Sequence, residues 1–115
     1  TILISKVINK LIYDLLCGEA WENGIYHLST KGLSDWFLIT KFILDISIKN
    51  NVNVRVKLKS LKAINSKDYP MNAKRPKNSL LNNNKLESKI DFQLPNWQDD
   101  LHQIILKIIK SNDNK

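Results

Sequence analysis

The sequence predicts a small α/β layer of three main helices and two or three short strands. Three observations lead there. Apolar residues recur in pairs every four positions between Ile2 and Leu16. Val52, Val54, Val56 and Leu58 alternate with polar residues. Trp97, Leu101, Ile104, Ile105 and Ile108 repeat at helical spacing near the end. The chain of 115 residues has room for one domain with a modest core, and its strands are too few for a complete doubly wound sheet. A single partial domain is expected over 1–110, followed by a frayed tail over 111–115.

The first helix is expected over Ile2–Leu16. Leu3 with Ile4, Val7 with Ile8, Leu11 with Ile12 and Leu15 with Leu16 give one broad apolar stripe. Thr1 can cap its start and Gly18 its end. The run Gly24-Ile25-Tyr26-His27-Leu28-Ser29 is short, β-prone and bounded by Asn23-Gly24 and Lys31-Gly32, which predicts a strand. A second helix follows from about Ser34 to Lys49, capped by Ser34 or Asp35 and broken by Asn50-Asn51. The period-two run Val52–Leu58 predicts a half-exposed strand. Residues 65–84 are irregular, with two prolines and an asparagine run. Lys85–Lys89 reads as one helical turn. The last helix is expected from about Asn96 to Lys110, with Pro95 near its first turn.

Hydrophobic residues make up 43% and charged residues 25%, ordinary values for a soluble globular protein. No apolar run is long enough to cross a bilayer, and the charged, polar N-terminal stretch does not read as a signal peptide. A first residue of threonine suggests a piece of a longer protein. The single cysteine, Cys17, has no internal disulfide partner and no catalytic context, which fits a reducing, cytoplasmic compartment. The net charge of +7 invites a nucleic-acid reading. Against it, only Arg55 and Arg75 among the 18 basic residues are arginine, and the lysines are scattered. Most of that charge reads as solvated surface.

The chemistry that can be sought is narrow. There is no glycine-rich phosphate loop, and no Cys/His set has metal-ligand spacing. His27 and His102 stand alone, and Asp99 and Asp100 complement a helix dipole without needing a catalytic role. One segment concentrates polar groups: Asp68 to Ser79 places Lys74, Arg75 and Lys77 beside Asn78 and Ser79 in a loop stiffened by Pro70 and Pro76. A guanidinium fork fits a diphosphate or a carboxylate, and the prolines reduce the freedom lost on binding. A plain surface loop is the competing reading.

At this point a resemblance enters. Gly24–Ser29 followed by Trp36-Phe37 is similar to the "GIYHLSG…TWYEFA" stretch of the dTDP-4-dehydrorhamnose reductase family. Tyr69-Pro70 through Ala73-Lys74-Arg75-Pro76-Lys77-Asn78-Ser79 resembles its "YPTPAKRPKNSRLD" signature, continued by Leu81-Asn82 and Lys85-Leu86. Leu94-Pro95-Asn96-Trp97 resembles its "LPDW". The matching blocks keep their order over most of residues 24–105, and the arginine–proline–asparagine–serine block is the specific part.

The resemblance implies the C-terminal, substrate-side portion of an extended short-chain dehydrogenase/reductase, with the N-terminal Rossmann domain absent. It implies a parent that reduces dTDP-4-dehydro-L-rhamnose to dTDP-L-rhamnose with NADPH or NADH, in nucleotide-sugar and lipopolysaccharide O-antigen biosynthesis. The family's glycine fingerprint, its Tyr-x-x-x-Lys pair and its Ser/Thr partner precede the matched region. No catalytic, cofactor-binding or metal residue is therefore assigned, and the chain alone is expected to be inactive and to bind no cofactor. The substrate-cleft candidates are Arg75, Asn78 and Ser79. The implied partners are the dTDP-sugar and the missing Rossmann portion, with a homodimer left open and with neither nucleic acid nor membrane. Leu80 stands where the family has an arginine. The acidic side chains that some members carry on the last helix for metal-assisted pairing are not evident here, and Lys107 and Lys110 stand near its end, so no magnesium site is expected. Two other functions compete: a non-catalytic relative like the regulatory subunit of methionine adenosyltransferase, which keeps an arginine–proline–asparagine block, and a basic nucleic-acid-binding domain.

Overall fold

The computed structural model describes residues 2–69 and 76–113. Helices dominate it: α1 (Ile2–Leu16), α2 (Trp36–Lys49), α3 (Asn84–Glu87) and α4 (Trp97–Asp113), with 3-10 turns at Leu58–Ser60 and Ser66–Asp68. The chain divides into two compact units, Thr1–Thr30 with Leu80–Leu94, and Lys31–Ser79 with Pro95–Lys115.

In the first unit α1 has the predicted bounds; its proposed cap, Thr1, lies outside the described residues. Its C-terminus closes in a Schellman motif. The Glu19 N–H donates to Asp14 O at 2.8 Å and the Gly18 N–H to Leu15 O at 3.2 Å. Gly18 takes φ +82°, which glycine adopts without a Cβ penalty. Leu3, Val7 and Leu11 are half-buried and Asp14 is buried, marking the inner face of the helix. Further along, the Asn82 side chain accepts from the Asn84 N–H at 2.9 Å and starts the predicted turn of helix α3. That turn carries Leu86, the most deeply buried large side chain described, at 1% exposure.

In the second unit the cap of α2, left open between Ser34 and Asp35 by the sequence, is Asp35, its Oδ1 accepting the Leu38 N–H at 2.7 Å. The Asn50-Asn51 break is also a Schellman closure: the Asn51 N–H reaches Ile48 O at 3.0 Å, and the Val52 N–H reaches Ser47 O at 2.9 Å. Asn51 supplies the left-handed residue at φ +57°, a conformation asparagine tolerates better than most. Helices α2 and α4 pack together, with Leu44, Ile46 and Ile105 buried. The Phe42 and Trp97 rings meet edge to face at 5.3 Å between centroids. The Trp97 Nε1–H donates to Leu33 O at 3.2 Å. Helix α4 runs three residues past its predicted end.

The strands of the α/β expectation do not form among the described residues. The β-type pairing there is one isolated parallel bridge, Lys31 with Asn96, made by Lys31 N–H to Pro95 O and Trp97 N–H to Lys31 O. The physical reason is the need for a ladder partner, since a single strand leaves its N–H and C=O groups unpaired. Each unit holds one of the two predicted strands. At Ser29 the backbone N–H and C=O bond instead to the side-chain amide of Asn83. In Val52–Leu58 the alternation does not translate into one buried face: Val54 is half-buried, Val52 and Val56 are exposed, and Leu58 enters a 3-10 turn. Among the described residues no helix is long and apolar enough to cross a membrane.

Candidate functional site

The segment singled out by the sequence starts at the 3-10 turn Ser66–Asp68, where the Asp68 N–H donates to Asn65 O at 2.9 Å. Tyr69 follows, exposed. Pro70, Met71, Asn72, Ala73, Lys74 and Arg75 lie outside the described residues, and with them the candidate Arg75. The segment resumes at Pro76, and Asn78 and Ser79 are both exposed. Both stand in an irregular stretch of the chain. His27, His102 and Cys17 are exposed as well.

Along α2 and α4 the second unit offers two open depressions. One, of about 410 Å³, has isoleucine walls from Ile43, Ile105 and Ile108 and an asparagine rim at Asn50, Asn51 and Asn53. No titratable side chain lines it, so it carries no acid–base chemistry. The other, of about 430 Å³, has Lys49, Asp99 and His102 along it, all exposed. Among the described residues no group of three His, Cys, Asp or Glu side chains could hold a metal ion.

The three glycines test whether this chain could cradle a dinucleotide. Gly18 ends α1. A Cβ on Gly24 would lie 2.8 Å from Lys85 Nζ, and one on Gly32 would lie 3.0 Å from Trp97 Cδ1. Each is explained by its own local packing or helix end, and they stand 6 and 8 residues apart in different turns. A phosphate cradle needs clustered glycines opening a helix. These three glycines form no such cradle.

Two side-chain clasps in the first unit were not anticipated. Buried Asp14 accepts the Lys10 ammonium at 2.5 Å and the Trp21 Nε1–H at 2.8 Å. The Lys10 hydrogen bond, then that of Trp21, holds the Asp14 carboxyl below the usual carboxylate range, and the same bond to Asp14 raises Lys10. A charged residue inside the apolar periodicity of α1, four positions from a lysine, was the available signal. Asn83 is the second clasp. Its Oδ1 accepts from the Ser29 N–H and hydroxyl at 3.1 and 3.2 Å, and its Nδ2 lies 2.9 Å from Ser29 O and 3.0 Å from Ser29 Oγ. In an Asn-Asn-Asn run no pattern marks which asparagine is buried. Beside these, Lys85 Nζ stands 4.5 Å from the centroid of the Tyr26 ring, whose hydroxyl donates to Glu22 O.

Known proteins give the chain its context. The model of the RmlD substrate binding domain matches residues 1–109. A dTDP-4-dehydrorhamnose reductase of Aggregatibacter actinomycetemcomitans is 32% identical over 101 residues, which are 88% of this chain and 34% of that protein. That of Sinorhizobium fredii is 31% identical over 87 residues, 75% of this chain and 28% of the relative. That of Escherichia coli is 33% identical over 75 residues, 65% and 24% respectively. The matched part is their C-terminal portion, so the chain spans about a third or less of the length of these relatives. No solved structure matches the chain. With nearly its whole length inside the family match, the chain belongs to the RmlD substrate-binding domain family.

Proposed function

We propose that the chain is the substrate-side portion of a dTDP-4-dehydrorhamnose reductase, and that Arg75, Asn78 and Ser79 meet the dTDP-sugar. The observation that carries the reading is the block Ala73–Ser79, donors on both sides of Pro76 inside the family match. The exposure of Asn78 and Ser79 supports it. Arg75 is assigned the diphosphate, because a planar fork of N–H donors matches paired phosphate oxygens. The reaction is the reduction of dTDP-4-dehydro-L-rhamnose to dTDP-L-rhamnose, in the cytoplasm, in the service of lipopolysaccharide synthesis. The NADPH or NADH it consumes is held outside these 115 residues, and so are the groups that move the proton. The chain by itself has no turnover on this reading.

The test is Arg75→Ala and Arg75→Lys in the reductase-length protein that carries this chain. A contact to a charged ligand group contributes about 1.5–3 kcal/mol, or roughly ten- to a hundredfold in affinity for the dTDP-sugar. Weaker binding at unchanged melting temperature supports the ligand role. Lost stability at unchanged affinity makes Arg75 a clamp of its own loop and removes the residue from the site.

A further inference from the structure

We infer that Asn83 is a positioning residue: its clasp on Ser29 fixes the downstream root of the loop that carries Asn78 and Ser79, and so restricts where those two side chains meet the sugar nucleotide. This rests on the reading that Asn78 and Ser79 contact the dTDP-sugar. Asn83 is buried, at 9% exposure. Its carboxamide treats Ser29 as one strand treats the next. Oδ1 accepts the Ser29 N–H at 3.1 Å, and Nδ2 donates to Ser29 O at 2.9 Å. The Ser29 hydroxyl adds to the clasp, 3.2 Å from Oδ1 and 3.0 Å from Nδ2. The two residues stand 54 positions apart, so the clasp ties together segments that the chain alone leaves independent.

The root is held at several points. Asn82 Oδ1 accepts the Asn84 N–H at 2.9 Å, and the carbonyl of Asn83 accepts the Glu87 N–H at 2.8 Å, so this pair of asparagines opens α3. Leu86 buries that turn at 1% exposure. Lys85 of the same turn sets its ammonium 4.5 Å from the Tyr26 ring centroid, so α3 is fastened to Tyr26–Ser29 by a buried amide and a cation–π contact. Upstream the chain changes character: Asn78, Ser79, Leu80 and Leu81 are all exposed. Of the buried polar side chains described, Asp14, Ser47 and Asn83, only Asn83 lies on the segment that carries these candidates. It stands four positions after Ser79, a reach of about 14 Å at full extension. A tether that short transmits the fixing of its root. Polar groups restricted before binding lose less freedom when a ligand arrives, which is how a residue that never touches the sugar nucleotide contributes to its affinity.

The experiment titrates dTDP-L-rhamnose into the reductase-length protein that carries this chain, by calorimetry well below its melting transition, and titrates NADPH separately. Asn83→Ala should weaken dTDP-L-rhamnose roughly three- to tenfold, the scale of one neutral hydrogen bond. NADPH affinity should stay unchanged, because that cofactor is held outside these 115 residues. Should Asn83→Ala fail to fold, Asn83→Ser carries the same test, since its hydroxyl can still serve one of the two Ser29 backbone groups. The pair Asn78→Ala with Ser79→Ala should weaken dTDP-L-rhamnose too. Adding Asn83→Ala to that pair should cost less than about twofold more, because its effect passes through contacts already removed. Unchanged dTDP-L-rhamnose affinity in the Asn83 variant overturns the inference. Equal weakening of both ligands overturns it as well, by making Asn83 a residue of general stability, and so does full additivity with the Asn78 and Ser79 changes. The two readings fail separately. If the Asn78 and Ser79 pair weakens binding and Asn83→Ala does not, only the positioning role falls. If the wild-type protein does not bind dTDP-L-rhamnose, the functional reading falls and takes the positioning role with it.

Discussion

The two units of this chain hold themselves together by different means. The second relies on an apolar helix pair, α2 with α4, around Leu44, Ile46 and Ile105. The first buries Leu86 and Leu94 but also two polar side chains, Asp14 and Asn83, each satisfied by several partners. Apolar packing tolerates exchange of similar volumes, whereas a buried polar group requires its particular partners. The first unit should therefore respond more to conservative polar changes than the second, whose buried polar side chain among the described residues is Ser47.

The largest expected effect is apolar and falls in the first unit. Leu86→Ala should cost about 2–5 kcal/mol, read from urea unfolding, since the side chain is fully buried. Asn83→Ala comes next, at about 1–3 kcal/mol, because it strips partners from the Ser29 N–H and C=O. Asn83→Asp keeps the acceptor and loses both donors, so it should also destabilise. Ser29→Ala removes only the hydroxyl and should be milder than either. If all three changes left the unfolding midpoint untouched, the distinction drawn between the units would be lost.

This contrast also explains what could be read from the sequence. The three main helices were legible because 3.6-residue periodicity and capping are local: Asp35, Gly18 and the Asn50-Asn51 break each act within a few residues. The strands were misjudged because alternation in Val52–Leu58 gives β-propensity without a partner, and pairing is not a local property. The Ser29–Asn83 clasp spans 54 residues and was invisible for the same reason. Of the candidate site, Asn78 and Ser79 are exposed and Arg75 lies outside the described residues, so its role stays a proposal. The family block stood out because several uncommon residues keep their order; periodicity alone would not have distinguished it from any surface loop.

Two glycines refine the comparison at smaller scale. Gly18 and Gly32 both take positive φ, +82° and +92°. A Cβ at Gly18 meets open space, whereas one at Gly32 comes within 3.0 Å of Trp97 Cδ1. Gly18→Ala should cost about 1–2 kcal/mol, the strain of a left-handed alanine. Gly32→Ala carries that strain and must also displace the indole that donates to Leu33 O and packs on Phe42. The excess of the second over the first, measured by paired unfolding curves, isolates the Trp97 contact. Equal losses would show that the indole shifts without cost.

The smallest expected effect comes from the Lys10–Asp14 pair, whose contribution is present at neutral pH and changes with pH only towards the extremes. The folded-state carboxyl of Asp14 is held low by Lys10 and Trp21. Its contribution is therefore complete above the unfolded carboxylate value, about 3.9, and is lost as pH falls through the folded value. Lys10 is raised by the same hydrogen bond. Its contribution is complete below the unfolded lysine value, about 10.4, and is lost as pH rises through the folded value. Because both shifts describe one interaction, Asp14→Asn should remove the Asp14 contribution to the acid limb and the Lys10 contribution to the alkaline limb together. The Trp21 hydrogen bond separates the two sides. Trp21→Phe deletes a donor to Asp14 but leaves Lys10, so it should soften the acid limb and spare the alkaline one. Thermal unfolding from pH 2.5 to 11 for wild type, Asp14→Asn and Trp21→Phe reads all of this. Parallel profiles for the three proteins would show that the clasp holds geometry without tuning either charge.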